Sequence, residues 1–133
     1  MSPKLRYRGD WSAIWEGDCR EVAAGIEPGS VSLSIVDGPY AMGKAAWDRM
    51  KIDDLADWYA PHFDDVGRIS APSASLYVWN TAAGWARLDP VLRGMGWTFA
   101  GLIVWEKTGA HPARIGAANS SKWPDVTEVC GHY

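Results

Sequence analysis

The feature that most constrains the fold is a short apolar run that ends on an acid and a turn. Residues 31–36 read Val-Ser-Leu-Ser-Ile-Val, alternating at first and ending in two adjacent β-branched residues, which is typical of a mostly buried strand. Asp37 follows this run, and Gly38-Pro39 then breaks it. The sequence therefore predicts a strand whose carboxyl end carries a carboxylate.

Strand and helix patterns alternate along the rest of the chain. Further strands are predicted at residues 13–16, 74–79 and 97–105, and helices at residues 20–27, 52–66 and 82–95. Pro61 and Pro90 are expected to kink or interrupt the last two helices, and Glu128 has the surroundings of a strand residue without an assignable role. This order implies βαβ units, so we predict an α/β fold, a Rossmann-like sheet with helices on both faces.

Charge and cysteine content narrow the class of protein. The formal net charge of -3 gives no overall basic field, so any contact with DNA must be local. The only charged residues from 107 to 122 are Lys107, Arg114 and Lys122, and all three are basic. This composition fits a solvated loop and a phosphate-facing loop about equally. Cys19 and Cys130 lie far apart with no metal-ligand spacing, which predicts a reducing cytoplasm, no disulfide framework and no metal site. No apolar run approaches the ~20 residues that span a bilayer.

Asp37-Gly38-Pro39-Tyr40 is the tetrapeptide with the clearest chemistry. It joins a carboxylate at a strand end, two residues with special backbone behaviour and an aromatic ring. The exocyclic amine of adenine or cytosine is a poor nucleophile because its lone pair is delocalised into the ring. Two acceptors, the Asp37 carboxylate and a carbonyl such as that of Gly38, could bind the amine hydrogens while Tyr40 stacks on the base. Taken by itself, the tetrapeptide also fits an ordinary turn.

The order of several short motifs resembles the β class of DNA amino-methyltransferases. Gly17-Asp18-Cys19 precedes the tetrapeptide, Trp47-Asp48 follows it, and Trp105-Glu106-Lys107 comes at a later strand end. In that class a Gly-Asp-Cys segment precedes an Asp-Pro-Pro-Tyr motif, and a Trp-x-Lys strand end follows. The resemblance extends over about residues 14 to 130.

The resemblance implies a function and a role for each matching residue. It implies a restriction-modification type of enzyme that uses S-adenosylmethionine to methylate a flipped base of DNA, with adenine N6 favoured over cytosine N4. Asp37, Gly38, Pro39 and Tyr40 would form the catalytic motif, and Asp18, Cys19 and Asp37 would contact the cofactor. Tyr40, Trp47 and Lys107 would contact the substrate, although Trp47 also suits packing on the sheet and Lys107 a surface pair with Glu106.

The sequence departs from the family pattern in two places. Gly38 replaces the usual proline, which keeps the carbonyl and loses rigidity. The family's cofactor loop, a Gly-x-Gly between a strand and a helix, is expected near the C-terminus after a target-recognition region. The one Gly-x-Gly here, Gly94-Met95-Gly96, leads from a predicted helix into a strand and is interpreted as a turn.

We therefore expect residues 1–133 to form a single partial methyltransferase domain that lacks both the glycine loop and the target-recognition region. Two alternatives stay open: a non-catalytic remnant or partner subunit that binds nucleic acid or protein, and a methyltransferase acting on RNA or a small molecule. The expected partners are DNA and, for assembly, a second copy of the chain or a complementing subunit.

Overall fold

The computed structural model describes residues 2–107 and 127–133. Two short 3₁₀ helices, Ala46–Asp48 and Ile52–Asp54, occur in addition to the elements named next. The strands and α-helices are β1 (Lys4–Arg8), β2 (Ala13–Glu16), α1 (Cys19–Ala24), β3 (Val31–Asp37), α2 (Leu55–Ile69), β4 (Ser70–Asn80), α3 (Ala82–Gly94), β5 (Gly101–Glu106) and β6 (Thr127–His132).

The described strands form two separate sheets. The larger sheet has the order β3-β4-β6-β5, with β3 parallel to β4 and β6 antiparallel to both of its neighbours. The α3 crossover lets β4 and β5 run in the same direction and leaves room for β6 between them. β1 and β2 pair with each other in an antiparallel hairpin outside that sheet. The α/β prediction is confirmed, in the form of a mixed sheet.

The core lies on one face of the larger sheet. α2 contributes Leu55, Tyr59 and Phe63, which pack on Leu76 and Val78 of β4. Leu88 and Leu92 of α3 and the terminal Tyr133 complete this cluster. Burial of these apolar side chains is the main force that holds α2 and α3 against the strands.

The opposite face differs from the two-sided arrangement that the sequence predicted. The strand register places Leu33 and Ile35 of β3 on this face together with Ile103 and Trp105 of β5, and all four are exposed. Within the described residues, both long helices belong to the core of the other face, since the apolar stripes of α2 and α3 point to the same layer of β4 side chains.

The element boundaries correct several predictions. α2 and α3 continue through Pro61 and Pro90, because buried residues on either side of each proline anchor the helix despite the lost backbone donor. β4 starts earlier than predicted and β5 is shorter, while the hairpin strand β1 was not predicted. Gly94 ends α3 and Gly96 has a positive φ, which confirms that the Gly-x-Gly is a turn. No helix in the described part of the chain is long and apolar enough to span a membrane.

Candidate active site

The predicted catalytic motif lies at the carboxyl end of β3, beside the end of the neighbouring parallel strand β4. Asp37 ends β3 and pairs with Trp79, and the next residue, Asn80, ends β4. The carboxyl ends of parallel strands meet at one edge of the sheet, where α/β proteins place their ligand sites. Lys107 follows the last residue of β5 at the same edge, opposite Glu128 near the start of β6. The fold therefore gathers Asp37, Tyr40 and Lys107 into one region.

Asp37 and Tyr40 contact each other directly. The Tyr40 hydroxyl donates a hydrogen bond of 2.8 Å to Asp37 Oδ1, so the bond uses one of the two carboxylate oxygens. Tyr40 is half-buried, and this burial, the bond to Asp37 and the nearby carboxylate charges raise the pKa of Tyr40. The Tyr40 hydroxyl consequently stays protonated and holds the ring in a fixed orientation beside the carboxylate.

Two buried side chains hold the turn between Asp37 and Tyr40. The hydroxyl of Tyr59 and the amide nitrogen of Asn80 each donate a hydrogen bond of 3.2 Å to the carbonyl oxygen of Pro39. Burial raises the pKa of Tyr59, which keeps this hydroxyl protonated as a donor. Both donors are buried, and the Pro39 carbonyl accepts from both of them. These two hydrogen bonds therefore fix the backbone of Gly38 and Pro39 against the core.

Gly38 is explained by the same contact. A Cβ atom added at Gly38 would lie 2.4 Å from the Tyr59 hydroxyl and 3.0 Å from its ring carbon. The Tyr59 side chain therefore occupies the space that any larger residue at position 38 would need. The departure from the family's proline is compensated by this buried tyrosine, which restores by a tertiary contact some of the rigidity that glycine loses.

Asp48 organises the loop that follows the motif. Its Oδ1 accepts the backbone N–H groups of Tyr40 and Ala41, both at 2.8 Å. Its Oδ2 accepts those of Met42 at 3.1 Å and Lys44 at 3.2 Å. The side chain of Asp48 is only 2% exposed, yet its charge is satisfied by these four donors.

The pKa of Asp48 shows that the hydrogen bonds outweigh its burial. Burial by itself would raise the pKa, but the backbone donors from residues 40 to 44 lower it below its usual value. One of those donors belongs to Ala41, which has a φ of 58°, a conformation that non-glycine residues rarely adopt. The carboxylate thus stabilises a strained loop conformation next to Tyr40.

Glu128 links Lys107 to Tyr40. Lys107 Nζ forms an ion pair with Glu128 Oε1, and the other oxygen of Glu128 lies 3.5 Å from the Tyr40 hydroxyl. The Lys107 ammonium also lies 5.7 Å from the centroid of the Trp105 ring. Lys107 therefore pairs with Glu128 rather than with Glu106 and borders the motif.

A small cleft lies between these groups. Its volume is about 260 Å³, below the roughly 300–1,000 Å³ of pockets for whole drug-sized ligands. Trp47, 67% exposed on the 3₁₀ helix before Asp48, lies on its wall, so this residue does not pack on the sheet. Its lining consists of Asp37, Gly38, Tyr40, Met42, Lys44, Trp47, Asp48 and Glu128.

A larger cleft adjoins the other side of Asp37. It has a volume of about 530 Å³, and its lining is mainly apolar. Gly17 and Cys19 reach this cleft together with Asp37 and Gly38, while the Asp18 carboxylate caps α1 by accepting the backbone N–H of Arg20 at 2.9 Å. Cys19 is a free, exposed thiol whose pKa is raised by partial burial and by the neighbouring Asp18.

Several residues of the site were not predicted from the sequence. Asp48, Tyr59 and Asn80 support the motif, and Glu128 borders it, but none of them received a role. The only sequence signal for Asp48 is its position beside Trp47, shortly after the motif, because its burial cannot be read from the sequence. Arg114 and Lys122 are the basic residues of the predicted loop after Lys107, and both fall outside the described residues. No cluster of metal-ligating side chains occurs in ranges 2–107 and 127–133.

The sequence is similar to that of a known methyltransferase. No family model matches the chain. It is 30% identical over 98 residues to the type II methyltransferase M1.MboII of Moraxella bovis, a match that covers 71% of this chain and 36% of that protein. The predicted resemblance to the DNA amino-methyltransferases is thus confirmed in sequence.

Solved structures give the same result for the fold. The PvuII DNA methyltransferase, which is cytosine-N4-specific, matches 87% of this chain and 46% of its own, with a TM-score of 0.66 and 16% identity. TTHA0409 of Thermus thermophilus matches with a TM-score of 0.62 and 23% identity over 87% of this chain and 50% of its own. A further structure of TTHA0409 contains S-adenosyl-L-methionine. The chain therefore spans about half the length of these solved proteins and about a third of the curated relative.

Proposed function

We propose that this chain carries the target-base half of a DNA methyltransferase that uses S-adenosylmethionine and modifies an exocyclic amino group. The observation that carries the proposal is the contact between Asp37 and Tyr40 inside a small cleft at the strand ends. Such a cleft offers a carboxylate, a backbone carbonyl and an aromatic ring to a planar amine. The similarity to M1.MboII supports the same chemistry.

The acceptors of the site suit an amino group with two hydrogens. Asp37 Oδ1 accepts from Tyr40, which leaves Oδ2 to accept one amine hydrogen. The Pro39 carbonyl already has two donors, so the carbonyl of Gly38 is the acceptor we assign to the second hydrogen. With both hydrogens bound, the nitrogen becomes pyramidal, and its lone pair is localised for attack.

Tyr40 and Trp47 would hold the base, and Lys107 would contact it or its phosphate. Base modification requires that the nucleotide leave the duplex and stack in a pocket. Tyr40 is fixed by its hydrogen bond to Asp37, whereas the exposed Trp47 is free to pack on an incoming ring. We propose adenine N6 as the preferred target, and cytosine N4, the specificity of the PvuII enzyme, as the alternative.

The cofactor would bind where the larger cleft meets Asp37. Gly17 and Cys19 line this cleft together with Asp37, and its mainly apolar lining fits the faces of an adenine ring. Asp18 would accept a hydrogen bond from that ring, and S-adenosylmethionine would supply an electrophilic methyl group. A cytoplasmic location is proposed with the same cofactor, since both cysteines are free thiols.

Transfer of a labelled methyl group to duplex DNA tests the proposal. We expect N6-methyladenine in the digested product, and we expect Asp37→Asn to lower the rate by roughly 100-fold because it removes the carboxylate charge without changing the shape. Asp57→Asn, at an exposed position on α2, is the matched control and should leave the rate unchanged. Equal rates for Asp37→Asn and the parent would contradict the assignment. Faster transfer to RNA than to DNA would identify RNA as the substrate.

A second candidate is a non-catalytic partner that keeps the sheet without binding cofactor. It is favoured by the one Gly-x-Gly of the described residues, which ends a helix rather than opening one. Calorimetry separates the two candidates. Binding of S-adenosylmethionine to the chain, weakened by Asp18→Ala, supports the enzyme, whereas absence of binding to a folded chain favours the partner.

A further inference from the structure

The first turn of α3 contains a glycine that its backbone conformation does not require. Gly84 is buried, and its φ does not lie in the positive range that favours glycine. In a helix, glycine loses more conformational entropy on folding than alanine does, so it weakens the helix unless a side chain at that position would cost more. The reason for glycine at position 84 must therefore lie in what surrounds it.

The side chain of Asn80 lies directly against Gly84. A Cβ atom added at Gly84 would overlap Asn80 Oδ1 and lie 2.6 Å from Cγ of the same side chain. It would also lie 3.2 Å from a methyl carbon of Leu55, a contact that needs a shift of only a few tenths of an ångström. The amide of Asn80 thus occupies the space that a side chain at position 84 would need.

Asn80 is fully buried, and both ends of its amide are bonded. Its Oδ1 accepts the backbone N–H of Thr81 at 2.9 Å, and its Nδ2 donates to the carbonyl oxygen of Pro39 at 3.2 Å. Exchange of the two amide ends would set a donor against the Thr81 N–H, so a single orientation satisfies both bonds. Because the amide is planar, a displacement of Oδ1 also moves Nδ2 from its place beside Pro39.

The start of α3 holds Gly84 against this amide. The Thr81 side chain caps the helix by accepting the backbone N–H of Gly84 at 3.0 Å, and the Thr81 carbonyl accepts that of Trp85 at 2.8 Å. Thr81 is also buried, and it follows Asn80 directly in the chain. The first turn of α3 and the Asn80 amide are therefore fixed relative to each other, and a wider space between positions 80 and 84 would strain the cap.

The carbonyl of Pro39 carries this contact into the site. The ring of Pro39 fixes φ, so the preceding Gly38 carbonyl is linked to the anchored Pro39 carbonyl through ψ alone. We propose that Gly84 is a positioning residue: its missing side chain lets Asn80 hold Pro39, and this anchor sets the direction of the Gly38 carbonyl. The catalytic consequence rests on the proposed function, in which the Gly38 carbonyl accepts an amine hydrogen, whereas the contact itself does not.

The nuclear magnetic resonance signal of the Pro39 carbonyl carbon tests the contact directly. Hydrogen bonding shifts the carbon resonance of a carbonyl downfield, so loss of the Asn80 donor should move this signal upfield. We expect Asn80→Ala and Gly84→Ala to produce upfield shifts of similar size. Gly67→Ala in α2 is the matched control, because an added Cβ there has no neighbour within 4 Å, and it should leave the signal unchanged. An unchanged signal in Gly84→Ala would overturn the inference.

Thermal unfolding in two backgrounds separates this role from general crowding of the helix. In the parent, Gly84→Ala should lower the unfolding temperature, because the Asn80 amide must move within a filled core. In an Asn80→Ala background the same change should leave the temperature unchanged or raise it, since the overlap is gone and alanine favours the helix. This double variant also serves where Gly84→Ala alone does not fold. A loss of similar size in both backgrounds would overturn the inference and assign the clash to Leu55.

Methyl transfer tests the catalytic consequence. Gly84→Ala should lower kcat by roughly tenfold or more, because a displaced acceptor no longer orients the amine, and should change KM for S-adenosylmethionine less than about twofold. The double variant with Asn80→Ala should keep the low kcat although its helix is unstrained, a split that a purely structural role would not give. Parent-like kcat in the double variant would overturn the positioning role. The carbonyl signal and the unfolding temperature need no methyl transfer, so the proposed function is tested separately.

Discussion

The two sides of Asp37 differ in how completely this chain builds them. On the side of the small cleft, Asp48, Tyr59 and Asn80 are buried and hydrogen-bonded, and together they fix the turn and the loop around Tyr40. On the side of the larger cleft, two strand edges are unpaired and the hairpin is exposed throughout. The comparison teaches that the chain packs and hydrogen-bonds the turn around Tyr40 with its own residues, whereas the described residues leave the strand edges beside the larger cleft unpaired.

The largest change in stability is expected from replacing Asp48, on the side of the small cleft. Asp48→Ala removes the acceptor for four backbone N–H groups and should lower the free energy of unfolding by about 2–4 kcal/mol. Denaturant unfolding measures this change. Asp54→Ala, at an exposed acid without a capping bond, should change it by less than about 0.5 kcal/mol. Equal effects of the two variants would show that Asp48 does not hold the loop.

The contact between Gly38 and Tyr59 gives the next largest effect. Gly38→Ala should destabilise the chain by about 1–3 kcal/mol, because its Cβ would lie 2.4 Å from the Tyr59 hydroxyl. In a Tyr59→Phe background the same change should cost less, which a double-mutant cycle measures. Gly67→Ala in α2, where an added Cβ has no neighbour within 4 Å, should instead stabilise by roughly 0.5–1 kcal/mol. Additive effects at positions 38 and 59 would contradict the close contact.

Acid unfolding should isolate the charge of Asp48. Its pKa is lowered in the folded state, so its contribution to stability is fully present above the unfolded pKa of about 3.9. This contribution is lost as the pH falls below that value and through the folded pKa. The difference in stability between the parent and Asp48→Asn should therefore be constant near neutral pH and shrink in acid. A difference that persists unchanged to the lowest pH would show that charge is not responsible.

The smallest effect is expected at the rim of the small cleft. Glu128→Gln weakens the ion pair with Lys107 and should change the free energy of unfolding by about 1 kcal/mol or less, since Lys107 is partly exposed. Thermal unfolding at low and high salt measures the loss, which should be smaller at high salt. An effect as large as that of Asp48→Ala would place Glu128 among the residues that hold the motif.

The sequence predicted the parts that depend on local pattern. The β-branched run before Asp37 predicted β3, and the alternation of strands and helices predicted an α/β sheet with Asp37 and Lys107 at the ends of two of its strands. Asn80 and Tyr59 could not be predicted as partners of Pro39, because their contact depends on how α2 and β4 pack. The position of β6 between β4 and β5 likewise depends on long-range pairing that no local pattern records.

The exposed face shows a second limit of sequence reasoning. The apolar residues of β3 correctly predicted a strand, but the predicted burial of that strand is wrong for the described residues, because burial also requires a covering layer. Ile35 therefore reads as buried in the sequence and is 66% exposed in the described structure. A sequence pattern records the environment for which a strand is suited, whether or not the same residues supply that environment.

Residue-resolved hydrogen exchange of the chain by itself tests the difference between the two sides most directly. The backbone N–H groups of Tyr40, Ala41, Met42 and Lys44 should exchange at least roughly tenfold more slowly than those of the hairpin and of the outer edge of β3. Asp48→Ala should abolish that difference. Equally slow exchange in β2, β3 and the loop after Asp37 would contradict the account, because it would show that the two sides of Asp37 are equally well ordered.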